Sequence, residues 1–115
     1  MSYAQAMKAA GATISAYESF GSYQGDWWAL VTYEGKTGYV TGSYGSCSGC
    51  DAFEAEFGWE DRDDPEKLSA FGKGYLEQMM SFEEAIKEAS RNIEWDYEAE
   101  KIVQWLNEVE SMRGK

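Results

Sequence analysis

Gly42-Ser-Tyr-Gly-Ser-Cys-Ser-Gly-Cys-Asp-Ala-Phe53 divides this chain into two kinds of sequence. Before it, aromatic and β-branched residues between turn-forming residues read as strands. After it, acidic segments with apolar residues three and four apart read as helices. Strands and helices are therefore segregated along the chain, without the βαβ alternation that builds a parallel sheet. The expected class is α+β. A three-stranded antiparallel sheet over about residues 13–44 should be followed by C-terminal helices packed on one of its faces, all within a single domain, 1–115, whose first 49 residues are mainly β.

Moving outward from the pivot toward the N-terminus, Thr37-Gly-Tyr-Val-Thr41 reads as a strand that returns from Trp27-Trp-Ala-Leu-Val-Thr-Tyr33 through the tight turn Glu34-Gly-Lys36. Gln24-Gly-Asp26 is turn chemistry, and the loosely alternating stretch from Thr13 to Tyr23 supplies the first strand. Gly38 and Gly42 suggest bulging or curvature. Ahead of the sheet, the Ala-rich Ser2–Ala10 segment predicts a short helix stopped by Gly11.

Toward the C-terminus, Asp51–Phe57 predicts a short helix, and Asp64-Pro65 opens a second with proline in its first turn. Gly72 and Gly74 either weaken that helix or let something approach it closely. Ser81-Phe-Glu-Glu84 is a capping box for a third. Asp96 is placed to cap the last, whose apolar stripe runs through Ile102, Trp105 or Leu106, Val109 and Met112. The predicted core comprises Ile14, Phe20, Leu30, Val40, Phe53, Phe57, Leu68, Phe71, Ile86, Ile102, Leu106 and Val109.

Charge follows the same division. The chain carries a formal −11, of which residues 50–115, with 18 acids against 8 bases, hold all but about one unit. At 43% hydrophobic and 16% aromatic it can still bury a core, so it is not a disordered acidic tail. Such a surface repels nucleic acid and attracts basic proteins, including those that bind nucleic acid. The chain has no histidine, which removes the usual general base and the usual zinc ligand. No enzymatic activity and no cofactor are expected. No apolar run approaches the roughly 20 residues of a membrane span. The first residues lack the cationic and apolar regions of a signal peptide, and a cytoplasmic protein is expected.

Cys47-Ser-Gly-Cys50 is a CxxC that admits three readings. A zinc site would need further ligands, with Asp51 or a second chain supplying them. A redox site would gain thiolate stabilisation from a helix N-terminus, but neighbouring acids push a thiol pKa up. The third is structural: glycines turn the chain and the cysteines fill space under the turn.

Two resemblances follow from these motifs. Asp26-Trp-Trp, Gly35-Lys-Thr-Gly-Tyr-Val40 and Ser43-Tyr44 resemble the central hairpin of SH3 domains over about 20 residues, with Thr41-Gly42 where that family has a proline. The likeness implies a peptide-binding module with Trp27 as its groove tryptophan. The Gly42–Phe53 segment is similar to a Gly-Ser-Cys-Ser-Gly-Cys-Asp-Ala run that follows a β-hairpin in small bacterial and phage proteins, and implies a phage or mobile-element source.

The remaining signal is a pair of acidic clusters with adjacent tryptophans. Glu54, Glu56, Trp59, Glu60, Asp61, Asp63 and Asp64 form one, and Glu94, Trp95 and Asp96 the other. Solvated surface accounts for such charge. A partner-binding face that imitates a nucleic-acid backbone accounts for it too, with the aromatics as anchors. On that reading the chain is a small non-enzymatic protein that binds and inhibits a basic, nucleic-acid-handling host protein, in the manner of anti-CRISPR or other DNA-mimic inhibitors.

Overall fold

A computed structural model describes residues 2–21, 25–44, 64–91 and 97–113. Helix α1 (Ser2–Ala9) leads into strands β1 (Thr13–Gly21), β2 (Gly25–Tyr33) and β3 (Lys36–Tyr44), and helices α2 (Pro65–Leu76), α3 (Phe82–Ser90) and α4 (Tyr97–Arg113) follow. The three strands form an antiparallel meander with β2 in the centre. The class is α+β.

The helices cover both faces of the sheet, not one. On one side α1 and α2 enclose Trp27, Ala29, Val31 and Val40. On the other, α3 and α4 enclose Trp28, Leu30 and Tyr39. This is why Trp27-Trp-Ala-Leu-Val31 is apolar at every position: a strand buried on both faces has no side to turn toward water. Leu68 joins the first cluster, and Phe20, Ile102, Leu106 and Val109 join the second, as expected of core residues. Ile14, Phe71 and Ile86 are only partly buried, and Phe53 and Phe57 lie outside the described residues.

Local chemistry sets the boundaries. Gly11, at φ +105°, lets α1 end: the Ala12 N–H turns back to the Met7 carbonyl and the Gly11 N–H to that of Lys8. Glu34 and Gly35 both take positive φ in the two-residue β2–β3 turn. Asp64 Oδ1 accepts from the Glu66 and Lys67 N–H groups, with Pro65 next to it inside α2. Ser81 and Glu84 close a reciprocal capping box on α3.

Gly38 and Gly42 do not produce bulges, since β2 and β3 pair in unbroken register. They make room instead. A Cβ at Gly42 would lie 2.8 Å from the Trp27 indole, and one at Gly38 would lie 2.7 Å from the Met80 carbonyl oxygen. The sheet's irregularity falls in β1, between Ile14 and Ala16. Met112, placed in the α4 stripe by its spacing, is 65% exposed, because Ile102, Leu106 and Val109 already fill the helix's buried side.

Candidate functional site: an acidic cleft at one end of the sheet

Most residues singled out in the sequence lie outside the described residues: Cys47, Cys50, Glu54, Glu56, Trp59, Glu60, Asp61, Asp63, Glu94, Trp95 and Asp96. Asp64 is described, and its carboxylate is engaged as the cap of α2 while remaining exposed. Trp27 cannot be a groove tryptophan. Its indole is wholly buried, stacked on Tyr17 at 5.6 Å and packed against Tyr3 and Tyr75 at 5.2 Å each, so no peptide can reach it.

A different site emerges where the open end of the β2–β3 pair meets α3 and α4. Register places Asp26 opposite Ser43, whose hydroxyl donates to Asp26 Oδ1 at 3.3 Å. The two stand on the rim of a cleft of about 310 Å³. Glu88 of α3 stands on the same rim, and Trp28, Ala89, Ala99 and Ile102 supply an apolar floor. Thr41 also lines it, its hydroxyl donating to the Trp27 carbonyl at 2.7 Å.

The electrostatics of this corner are negative. The Tyr44 hydroxyl, which donates to the Phe20 carbonyl at 3.0 Å, has its pKa raised first by burial and then by the fields of Glu98 and Asp26. Glu88 is held by Arg91 through Nη1 contacts of 3.0 and 3.3 Å, and Glu98 by Lys101 at 3.4 Å. These pairs are exposed i,i+3 pairs on a helix surface, of the kind worth only tenths of a kcal/mol, so the carboxylates can exchange partners. Both acidic segments of the sequence are joined covalently to this corner. Residues 45–63 continue from Tyr44, and residues 92–96 connect Arg91 to Tyr97.

A second polar cluster serves the fold. The Tyr39 ring is wholly buried, and its hydroxyl reaches the margin of the core, donating to Glu110 Oε1 at 3.0 Å. Arg113 pairs with the same oxygen at 2.7 Å and lies over the Tyr39 ring, 6.0 Å from its centroid. Burial and the Glu110 carboxylate push the Tyr39 pKa up to about 12. The cluster fastens the last turn of α4 to β3.

The cleft is suited to binding. Its rim offers acceptors and its floor offers apolar contact, a combination that suits the aliphatic stem and charged head of lysine or arginine. Among the described residues, no group of three or more Asp, Glu or Cys side chains is arranged to hold a metal ion, and no helix is long and apolar enough to cross a membrane. Sequence reasoning missed Asp26 and Glu88 because 61 residues separate them and neither belongs to a cluster; only the fold joins them. Comparison with protein-family models, curated proteins and solved structures finds no match.

Proposed function

We propose that this chain is a small, non-enzymatic binding protein whose acidic end takes basic side chains of a partner protein. The observation that carries the reading is the cleft with Asp26 and Glu88 at its rim and Trp28, Ala89 and Ile102 in its floor. The net charge of −11 extends it from one side chain to a surface, since a basic partner is drawn in from a distance. A partner that normally holds nucleic acid fits best, because its Lys and Arg residues are already arrayed for a line of negative charge. In its narrowest form the reading is an inhibitor of the anti-CRISPR or DNA-mimic kind, encoded by a phage or mobile element and acting in the host cytoplasm. That form is suggested by the resemblance of the Gly42–Phe53 motif to a run in small bacterial and phage proteins. Glu54, Glu56, Glu60, Asp61, Asp63, Glu94 and Asp96, with Trp59 and Trp95, are the further residues proposed to contact the partner.

Titration with an arginine-rich peptide tests the reading at salt concentrations giving Debye lengths of about 10 Å and about 3 Å. Binding should weaken strongly at the shorter length, and Asp26→Asn with Glu88→Gln should weaken it further at the longer one. Changing Cys47 and Cys50 to Ser should leave it intact. Binding indifferent to both salt and the carboxylate changes would refute the proposal, and loss of binding on the cysteine change alone would transfer the function to the thiols.

A further inference from the structure

The two edges of the sheet are finished differently. At the β3 edge, the Tyr39 N–H donates to the Met80 carbonyl at 2.8 Å and the Met80 N–H returns to the Tyr39 carbonyl at 2.7 Å, closing the middle of that edge. Among the described residues, no strand pairs with the outer side of β1. At about 3.3 Å per residue, its nine residues offer roughly 30 Å of backbone. Exposed edges are normally blunted by lysines, proline or very short strands. Thr13-Ile-Ser-Ala-Tyr-Glu-Ser-Phe-Gly21 has no lysine, no proline and one charge, Glu18.

Each face of this edge is flanked by a groove. On the α1 side, Ala4, Gln5, Lys8 and Ile14 line a depression of about 370 Å³. On the α4 side, Ser15, Ala16, Val109, Met112 and Arg113 line one of about 410 Å³. The latter contains Met112, the one large apolar side chain exposed among the described residues. An added strand sends alternate side chains to opposite faces and so would fill both grooves while its backbone satisfies the edge.

We infer that the occupant is the β1 strand of a second copy of this chain, paired antiparallel to join two three-stranded sheets into one of six. A local charge match marks this occupant, against the general repulsion between two chains of net charge −11. Glu18 shares the α4 side with Ala16 and Phe20, because side chains alternate along the strand and those two pack into the α4 cluster. Antiparallel pairing about Tyr17 sets Glu18 of one copy opposite Ala16 of the other, in the groove that presents Arg113, while the irregularity between Ile14 and Ala16 leaves Ser15 of each copy out of the ladder. The two-fold axis repeats the match, giving two Glu–Arg contacts per interface. Arg113 has five N–H donors, so its bond to Glu110 leaves others for the second copy. Asp26 lies on the central strand β2, between Phe20 of β1 and Ser43 of β3, and Glu88 lies on α3, so neither belongs to the pairing edge itself.

Sedimentation equilibrium of the full chain from about 1 µM to about 1 mM covers the range of weak specific association. The mass should rise from 13.0 kDa toward twice that value. Glu18→Lys, which would face Arg113 of the second copy, should weaken the dimer at least tenfold. So should Ser19→Lys, which restores an edge lysine. Both positions are exposed, so the fold should persist, checked by circular dichroism. Independently of any variant, amide exchange across residues 14–19 should slow as concentration rises. A mass of 13.0 kDa throughout would overturn the inference, as would a dimer that both substitutions leave intact.

Discussion

Gly72 and Gly74 sit two residues apart in α2, yet alanine should have opposite effects at the two positions. At Gly74 the space around a Cβ is empty, and the substitution gains helix propensity worth up to about 1 kcal/mol. Gly72 is buried against the backbone of α1. A Cβ there would stand 2.7 Å from the Met7 nitrogen and closer still to the Ala6 carbonyl, and neither atom can rotate away. Relief requires α1 and α2 to part by about 1 Å, which forfeits a quarter to a half of each contact's attraction around Tyr3, Ala6 and Met7. Overpacking of this kind costs about 1–3 kcal/mol, and a backbone obstacle puts it near the upper figure. After the same propensity gain, Gly72→Ala should lose about 2 kcal/mol, leaving a gap of about 3 kcal/mol between the two variants. Urea unfolding followed by tryptophan fluorescence should show midpoints about 1–3 M apart with unchanged slopes. A gap under about 1 kcal/mol, or a Gly72→Ala protein more stable than the parent, would refute the α1–α2 contact as described.

Other outcomes follow from the core and the caps. Leu106→Ala should cost about 2–5 kcal/mol by denaturant unfolding, because Leu106 is wholly buried between α4 and the sheet. Tyr39→Phe should cost about 1 kcal/mol through the lost bond to Glu110. The Tyr39 pKa is raised, so the folded state keeps its proton after the unfolded chain has lost its own. That stability is intact below pH 10.0 and is lost as pH rises toward about 12, and Tyr39→Phe should flatten the decline measured over this window. Ser81→Ala should cost about 1 kcal/mol of α3. The Glu84 carboxylate, whose pKa is lowered first by the Ser81 backbone N–H and then by its hydroxyl, should release that N–H only below the usual carboxylate range, seen as a late shift of the Ser81 amide resonance in acid.

Wherever a residue's neighbours in sequence settle its role, the sequence was readable. Gly11, Asp64-Pro65 and the Ser81/Glu84 box are local arrangements, and each marks the boundary expected of it. The hairpin was similarly legible from Glu34-Gly35 between two aromatic runs. The second helical layer was not anticipated, although Trp27–Val31 bore its trace: five apolar residues in a row need two apolar surroundings. Gly38 and Gly42 were misread because a glycine demanded by a neighbour's bulk looks the same in sequence as one demanded by curvature. The cleft lay beyond reach for a similar reason. Asp26 appeared as turn chemistry and Glu88 carried no local signal of its own, and their meeting depends on how α3 packs against the sheet.

The layering also sets an order in time. Helix α1 packs on α2, from which 55 residues of chain separate it, whereas α3 and α4 are near neighbours in the chain. The β2–β3 hairpin is complete at Tyr44 and α2 at Leu76, 32 residues later, a stretch that a ribosome working at roughly 5–20 residues per second makes in about 2–6 s. During those seconds the Trp27, Ala29 and Val31 side of the nascent hairpin has only the eight residues of α1 to cover it. That helix is too short to hold its shape unaided in water. The opposite face, with Trp28, Leu30 and Tyr39, waits longer still, for α3 and α4, so a newly made sheet presents a tryptophan on each side to the cell before its covers exist, and these faces are where a chaperone would be expected to bind.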